Sequence, residues 1–169
     1  MHALVVFESM FGNTQSIAEA VGEGLGPDTE VVEVGSRPVI GPYVDLLVVG
    51  GPTHAFGLTR ESTRASAKEQ AAGSVVSAGI GVREWLETLP HPLHTTDAAA
   101  FDTRVTPARV PGSAAKGIAK RLRNRGFHLA LDPQTFWVTG TPGPLAEGEL
   151  ERARAWGREL AATVSVKQS

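Results

Sequence analysis

A chain of 169 residues with 41% hydrophobic side chains is long enough to bury a full core, and it reads as a single domain, residues 1–169. The absence of cysteine excludes disulfides, thiolate metal sites and cysteine nucleophiles. No apolar run approaches the ~20 residues of a membrane span, and the N-terminus enters a strand directly rather than a basic, signal-type segment. A cytoplasmic protein is therefore expected. The net charge of −2 is unevenly spread: residues 1–100 carry 5 basic and 12 acidic side chains, giving −7, and residues 101–169 carry 11 basic and 6 acidic, giving +5. Lys116, Lys120, Arg121, Arg123 and Arg125 fall on one predicted helix. Without interleaved aromatics or a known motif they read as a solvated face, and no nucleic-acid partner is expected.

The first element is Ala3-Leu4-Val5-Val6-Phe7, an unbroken apolar run that reads as a strand buried on both faces. Beyond it, Ile17, Ala18, Val21 and Leu25 recur at helical spacing, and Gly26-Pro27 stops the helix. Between the two lies Ser9-Met10-Phe11-Gly12-Asn13-Thr14. A strand feeding a helix through such a loop aims free backbone N–H groups and the positive end of the helix dipole at one point, which suits a phosphate. Ser9 and Thr14 add hydroxyls, Asn13 adds an amide, and Gly12 admits close backbone approach. No G-x-x-x-x-G-K-S/T loop and no G-x-G-x-x-G loop is present, so neutral donors would hold one terminal monophosphate.

The stretch Glu8-Ser9-Met10-Phe11-Gly12-Asn13-Thr14 closely resembles the phosphate loop of the flavodoxin superfamily, a hydroxyl residue and two variable positions followed by Gly-Asn-Thr. In that family the loop holds the phosphate of flavin mononucleotide (FMN), so the resemblance implies that Ser9 through Thr14 bind FMN. Read without the resemblance, the same stretch is also a capped helix, with Asn13 or Thr14 as N-cap and nothing bound.

Thr29-Glu30-Val31-Val32-Glu33-Val34 alternates as a half-exposed strand near a sheet edge should, and Pro38, Gly41 and Pro42 make a surface connection. Asp45-Leu46-Leu47-Val48-Val49 is a second buried strand, ending at Gly50-Gly51. The following loop, Pro52-Thr53-His54-Ala55-Phe56-Gly57, leaves what would be the carboxyl edge of the sheet, where open α/β sheets bind ligands. It too resembles the flavodoxin pattern, in which a Gly-x-Pro-Thr-type loop packs beside the flavin ring. His54 and Phe56 are its flat side chains, and Phe56 reads equally as a core residue.

Residues 58–80 are polar, alanine-rich and weakly helical, and longer than a minimal flavodoxin has between these strands. Arg60 and Arg64 here read either as a solvated helix face or as contacts for an anionic substrate or second nucleotide. From Gly81 a better helix carries Val82, Trp85, Leu86 and Leu89 in an apolar stripe, ending at Pro90. Residues 98–101 read as the next strand, with Asp102, Thr103 and Arg104 emerging from its end. The resemblance makes Phe101, Asp102, Thr103 and Arg104 the third flavin-contacting segment, although no Tyr or Trp stands there. A cation at Arg104 would stabilise negative charge on the reduced flavin and raise its potential; a surface Asp102–Arg104 pair is the alternative.

Ser113 caps a predicted helix to Arg125, with Gly126 as its stop. Residues 127–131 and 134–138 are two strand pieces broken by Asp132-Pro133. A final helix is expected from about Leu145 to Val164, burying Leu150, Ala153, Trp156, Leu160 and Val164, while Trp137 and Trp156 serve as core or partner contacts.

Alternation of strands and helices implies a parallel five-stranded sheet with helices on both faces. The resemblance makes this a flavodoxin-like three-layer α/β/α sandwich of the short-chain type, order 2-1-3-4-5. It implies electron transfer through FMN to a redox partner protein or small-molecule electron acceptor. Two alternatives stand beside it: an FMN-dependent NAD(P)H:quinone-type reductase, and a flavin-free interaction domain.

Overall fold

The computed structural model describes residues 1–54, 57–70, 75–92, 94–108 and 111–169, with Gln70 described by its backbone alone. The two unbroken apolar runs form the middle of a parallel sheet. Strand β1 (Ala3–Phe7) lies between β2 (Thr29–Glu33) and β3 (Leu46–Pro52), and β3 pairs in turn with β4 (Asp97–Val105). The last position is a broken strand. Its pieces, β5 (His128–Leu129) and β6 (Gln134–Val138), pair with successive stretches of β4, and the break falls at Asp132-Pro133 as expected. The order is β2-β1-β3-β4-β5, with β6 also on β4.

Alternation of side chains sends each strand's residues into two separate cores. Ala3, Val5, Leu46, Val48 and Phe101 pack under α1 (Asn13–Leu25) and α5 (Glu149–Gln168). On the opposite face, Leu4, Val6, Leu47, Val49 and Ala100 pack under α3 (Val82–Thr88) and α4 (Ala114–Asn124). Trp85 and Trp156 are both core residues. Helices α1 and α5 touch nearly backbone to backbone. A Cβ on Gly24 would lie 2.1 Å from the Arg154 carbonyl oxygen, and one on Gly157 would lie 2.4 Å from that of Val21. Only glycine permits that approach. A further helix, α2 (Glu61–Gln70), falls within the weakly helical stretch.

Two expected boundaries move by four residues, and the 127–131 strand piece shortens to His128–Leu129. Strand β4 runs to Val105 instead of ending near Phe101, because Asp102 and Thr103 are buried and bonded inside the sheet rather than solvated. The last helix begins at Glu149, four residues late. Val138 bridges Leu145, and Ala146 N–H donates to the Trp137 carbonyl at 2.9 Å, so residues 145–146 stay extended. Leu150, expected inside, is 39% exposed as a result of this later start. On α4, Lys116, Lys120 and Arg123 face solvent. Among the described residues no helix is long and apolar enough to cross a membrane.

Candidate functional site

The loop from β1 to α1 ends in Gly12, whose φ of 96° makes it a left-handed N-cap with no side-chain cap. Neither Asn13 nor Thr14 takes the capping role. The first N–H groups of α1 therefore lack intrahelical partners and have no capping oxygen. Ser9 Oγ accepts from Gly12 N–H at 3.1 Å, which leaves its own proton to donate. Thr14 Oγ1 and Thr103 Oγ1 share one bond at 2.8 Å, so one proton of that pair also remains. This is a set of neutral donors aimed at one place.

The second loop is anchored from beneath. Thr53 N–H donates to the Thr103 carbonyl at 2.9 Å, and Thr53 Oγ1 donates to Asp102 Oδ2 at 2.7 Å. The same carboxylate oxygen accepts from Ser113 Oγ at 2.7 Å and from Ala115 N–H at 3.1 Å. Asp102 is fully buried, so it is not half of a surface ion pair with Arg104. His54 and Gly57 exchange both backbone bonds, at 2.9 and 3.1 Å.

A shallow cleft of about 60 Å³ opens between these loops. Of the residues expected at the site, Ser9, Met10, Phe11, Asn13, Thr14, Pro52, Thr53, His54, Thr103 and Arg104 line it. Gly12 supplies the turn, Gly57 lines a neighbouring hollow, and Asp102 lies beneath as a support. Phe101 is placed elsewhere: fully buried, it packs edge-on against Phe136 and Trp156 on the α1/α5 side. Ala55 and Phe56 lie outside the described residues.

Three further contributions were not anticipated. Val76 N–H donates to the Met10 carbonyl and Ser77 N–H to that of Ser9, while Ser77 Oγ accepts from Ser9 N–H at 2.9 Å. The turn after β6 closes the far wall with Val138, Gly140, Thr141 and Pro142, and Asn13 Nδ2 donates to the Pro142 carbonyl at 2.7 Å. Finally, the β4–β6 register sets Arg104 beside Trp137, its guanidinium 5.8 Å from the ring centroid. A proline- and glycine-rich turn after the last strand was the available signal for the second of these; the first has none.

Behind the first loop sits Glu8, fully buried, accepting from Val82 N–H at 2.8 Å and from Thr59 Oγ1. Burial raises its pKa, against the lowering effects of Thr59, Val82 N–H and the Arg64 charge. Arg64 itself donates to Thr59 Oγ1 and pairs with Glu84. Burial, helped by the Arg64 charge, lowers the His54 pKa, so its imidazole is neutral at neutral pH.

Strand order and cleft position define a flavodoxin-like α/β fold, with the candidate site at the switch point between β1 and β3. Solved structures share this fold over nearly their whole length. Flavodoxin 1 from Bacillus cereus superposes with a TM-score of 0.68 at 17% identity, covering 96% of this chain and 98% of that one. A flavodoxin from the domain Archaea gives 0.63 at 20% identity, covering 98% and 99%. The flavodoxin, WrbA-like protein from Agrobacterium tumefaciens gives 0.63 at 15% identity, covering 98% of each chain. No protein-family model matches the sequence, and no curated protein does.

Proposed function

We propose that the protein binds FMN non-covalently and works as a flavodoxin-like redox protein, passing electrons to a partner protein or a small-molecule acceptor. The observation that carries this reading is the uncapped N-terminus of α1 at the switch point, surrounded by neutral donors. Asn13, Thr14 and Gln15 N–H groups, with the Ser9 hydroxyl, suit one phosphate ester and supply no lysine for a triphosphate. FMN, once bound, supplies one- and two-electron chemistry. The chain's own part is to hold and orient. Thr53 is fixed through Asp102 for a polar contact, Phe11 and His54 offer flat surfaces at the rim, and Arg104 places a positive charge there.

A direct NAD(P)H- or quinone-linked reductase is the second reading, favoured by the arginine-lined hollow that shares His54 with the cleft. The absorption spectrum of the purified protein and an FMN titration test the first reading. Stoichiometric uptake is expected in the wild type, and a loss of about a hundredfold or more in Thr14→Glu, where a carboxylate would meet the phosphate. Because Thr14 is buried, Ser9→Ala provides a milder second variant, with about a tenfold loss expected. No uptake by the wild type would leave a flavin-free interaction domain.

A further inference from the structure

On the other side of His54 lies a hollow of about 180 Å³, roomier than the cleft, lined by His54, Arg60, Ser62, Thr63 and Arg83 among others. Its charge is one-sided. Arg60 is exposed and Arg83 partly buried, and neither makes an ion pair with a carboxylate among the described residues. The carboxylate of Glu84 is taken by Arg64 instead. Burial first, then repulsion from Arg121 and Arg60, pulls the Arg83 pKa below its ordinary value, with Glu84 and Glu87 too weak to offset it. Arg83 thus feels the repulsion of Arg121 and Arg60 more than the attraction of Glu84 and Glu87.

The site is also built rather than merely charged. Arg83 Nε donates to the Thr59 carbonyl and Nη2 to that of Leu58, each at 3.0 Å, so the guanidinium is held in place before any ligand arrives. Ser62 adds a hydroxyl, and Thr63 Oγ1 accepts from Arg60 N–H at 2.9 Å and donates to the Arg60 carbonyl at 3.0 Å, tying the start of α2 to the same corner. Glu61, the acidic residue of that first turn, does not line the hollow. Planar, permanently charged guanidinium groups with hydroxyls nearby fit phosphate oxygens better than they fit a neutral ligand. The shared wall is His54, whose neutral imidazole adds no competing charge.

We propose that this hollow is a subsite for the phosphate of a small organic phosphate, whose other end reaches past His54 to the cleft. The role of that other end rests on the FMN reading; phosphate binding in the hollow does not. The test is calorimetric titration of pyrophosphate at low salt into FMN-saturated wild-type and Arg60→Glu protein, and into Thr14→Glu protein without FMN. Arg60 is exposed and its side chain makes no hydrogen bond or ion pair among the described residues, so its variant is expected to stay folded, which thermal unfolding checks.

Wild-type protein should bind pyrophosphate, Arg60→Glu should weaken binding about tenfold or more, and Thr14→Glu should leave it unchanged. NADPH, used as the organic phosphate probe, should compete with pyrophosphate for the Arg60-dependent site. If the wild type takes up no pyrophosphate, or if Thr14→Glu abolishes binding and Arg60→Glu does not, the subsite is disproved and the FMN reading stands. Absence of competition by NADPH would remove the organic ligand. Should FMN itself fail to bind, the same titration on the FMN-free Thr14→Glu protein still reads the hollow alone.

Discussion

Two buried carboxylates hold the two sides of the cleft, and they do it differently. Glu8, at the end of β1, receives a backbone N–H and a hydroxyl with the Arg64 charge close by. Asp102, inside β4, receives three neutral donors on Oδ2, while Oδ1 has no hydrogen-bond partner among the described residues. Glu8 ties the end of β1 to α3 and to the segment before α2; Asp102 ties the second loop to the start of α4. The comparison teaches that the shape of a site built on loops is set one layer below, by acceptors that gather the loops' donors. It also ranks the two. Losing Asp102 leaves three donors without their acceptor, losing Glu8 two.

The largest effect is therefore expected from Asp102→Ala, which leaves the Thr53 and Ser113 hydroxyls and Ala115 N–H without their acceptor. At about 1 kcal/mol each, the loss of stability should be ~3 kcal/mol in urea unfolding, with FMN affinity falling as Thr53 loosens. Asp102→Asn retains an oxygen for the same three donors and should recover most of both. If the alanine variant binds FMN as the wild type does, Asp102 supports the fold and not the site.

Glu8→Ala orphans two donors, Val82 N–H and the Thr59 hydroxyl, so about 2 kcal/mol is expected. The more discriminating variant is Glu8→Gln, read against pH. Because burial raises the Glu8 pKa above 4.5, the folded state holds a proton that the unfolded state has released across the window just above that value. This group's contribution to stability is complete below the window and is lost as pH rises through it. Glu8→Gln should flatten that part of the stability–pH curve. An unchanged slope would show that the Arg64 charge outweighs burial.

These supports also mark where the sequence stopped being informative. Strands β1 and β3, helices α1, α3 and α4, and the position of the β1–α1 loop were legible because each is written in consecutive residues or a single period. Asp102 was not, since its partners Thr53 and Ser113 stand 49 and 11 residues away. A polar Asp-Thr-Arg run reads as the end of a strand until those partners are known. The pairing of Val76 and Ser77 with Met10 and Ser9 is backbone to backbone and leaves no residue-type signature. Trp137 came beside Arg104 through the β4–β6 register, which depends on how the chain resolves the Asp132-Pro133 break. Phe101 failed for a simpler reason. Facing alternates along a strand, and it falls on the α1/α5 face, pointing away from the loops.

The smallest effect separates charge from packing at the rim, where Arg104 stands as neither of the buried carboxylates does. A cation about 8 Å from a developing negative charge, at an effective dielectric near 40, contributes about 1 kcal/mol. For a one-electron couple that corresponds to roughly 45 mV. Arg104→Gln should lower the potential of bound FMN by about that much in a potentiometric titration. Arg104→Lys keeps the charge and loses the planar contact with Trp137, so it should stay near the wild-type value. A drop in both variants would assign the effect to the Trp137 contact, and a drop in neither would place the reduced flavin's charge beyond Arg104's reach. Only a drop confined to Arg104→Gln fits a rim whose potential is tuned by the charge of the half-buried Arg104 guanidinium, above two carboxylates that are themselves fully buried.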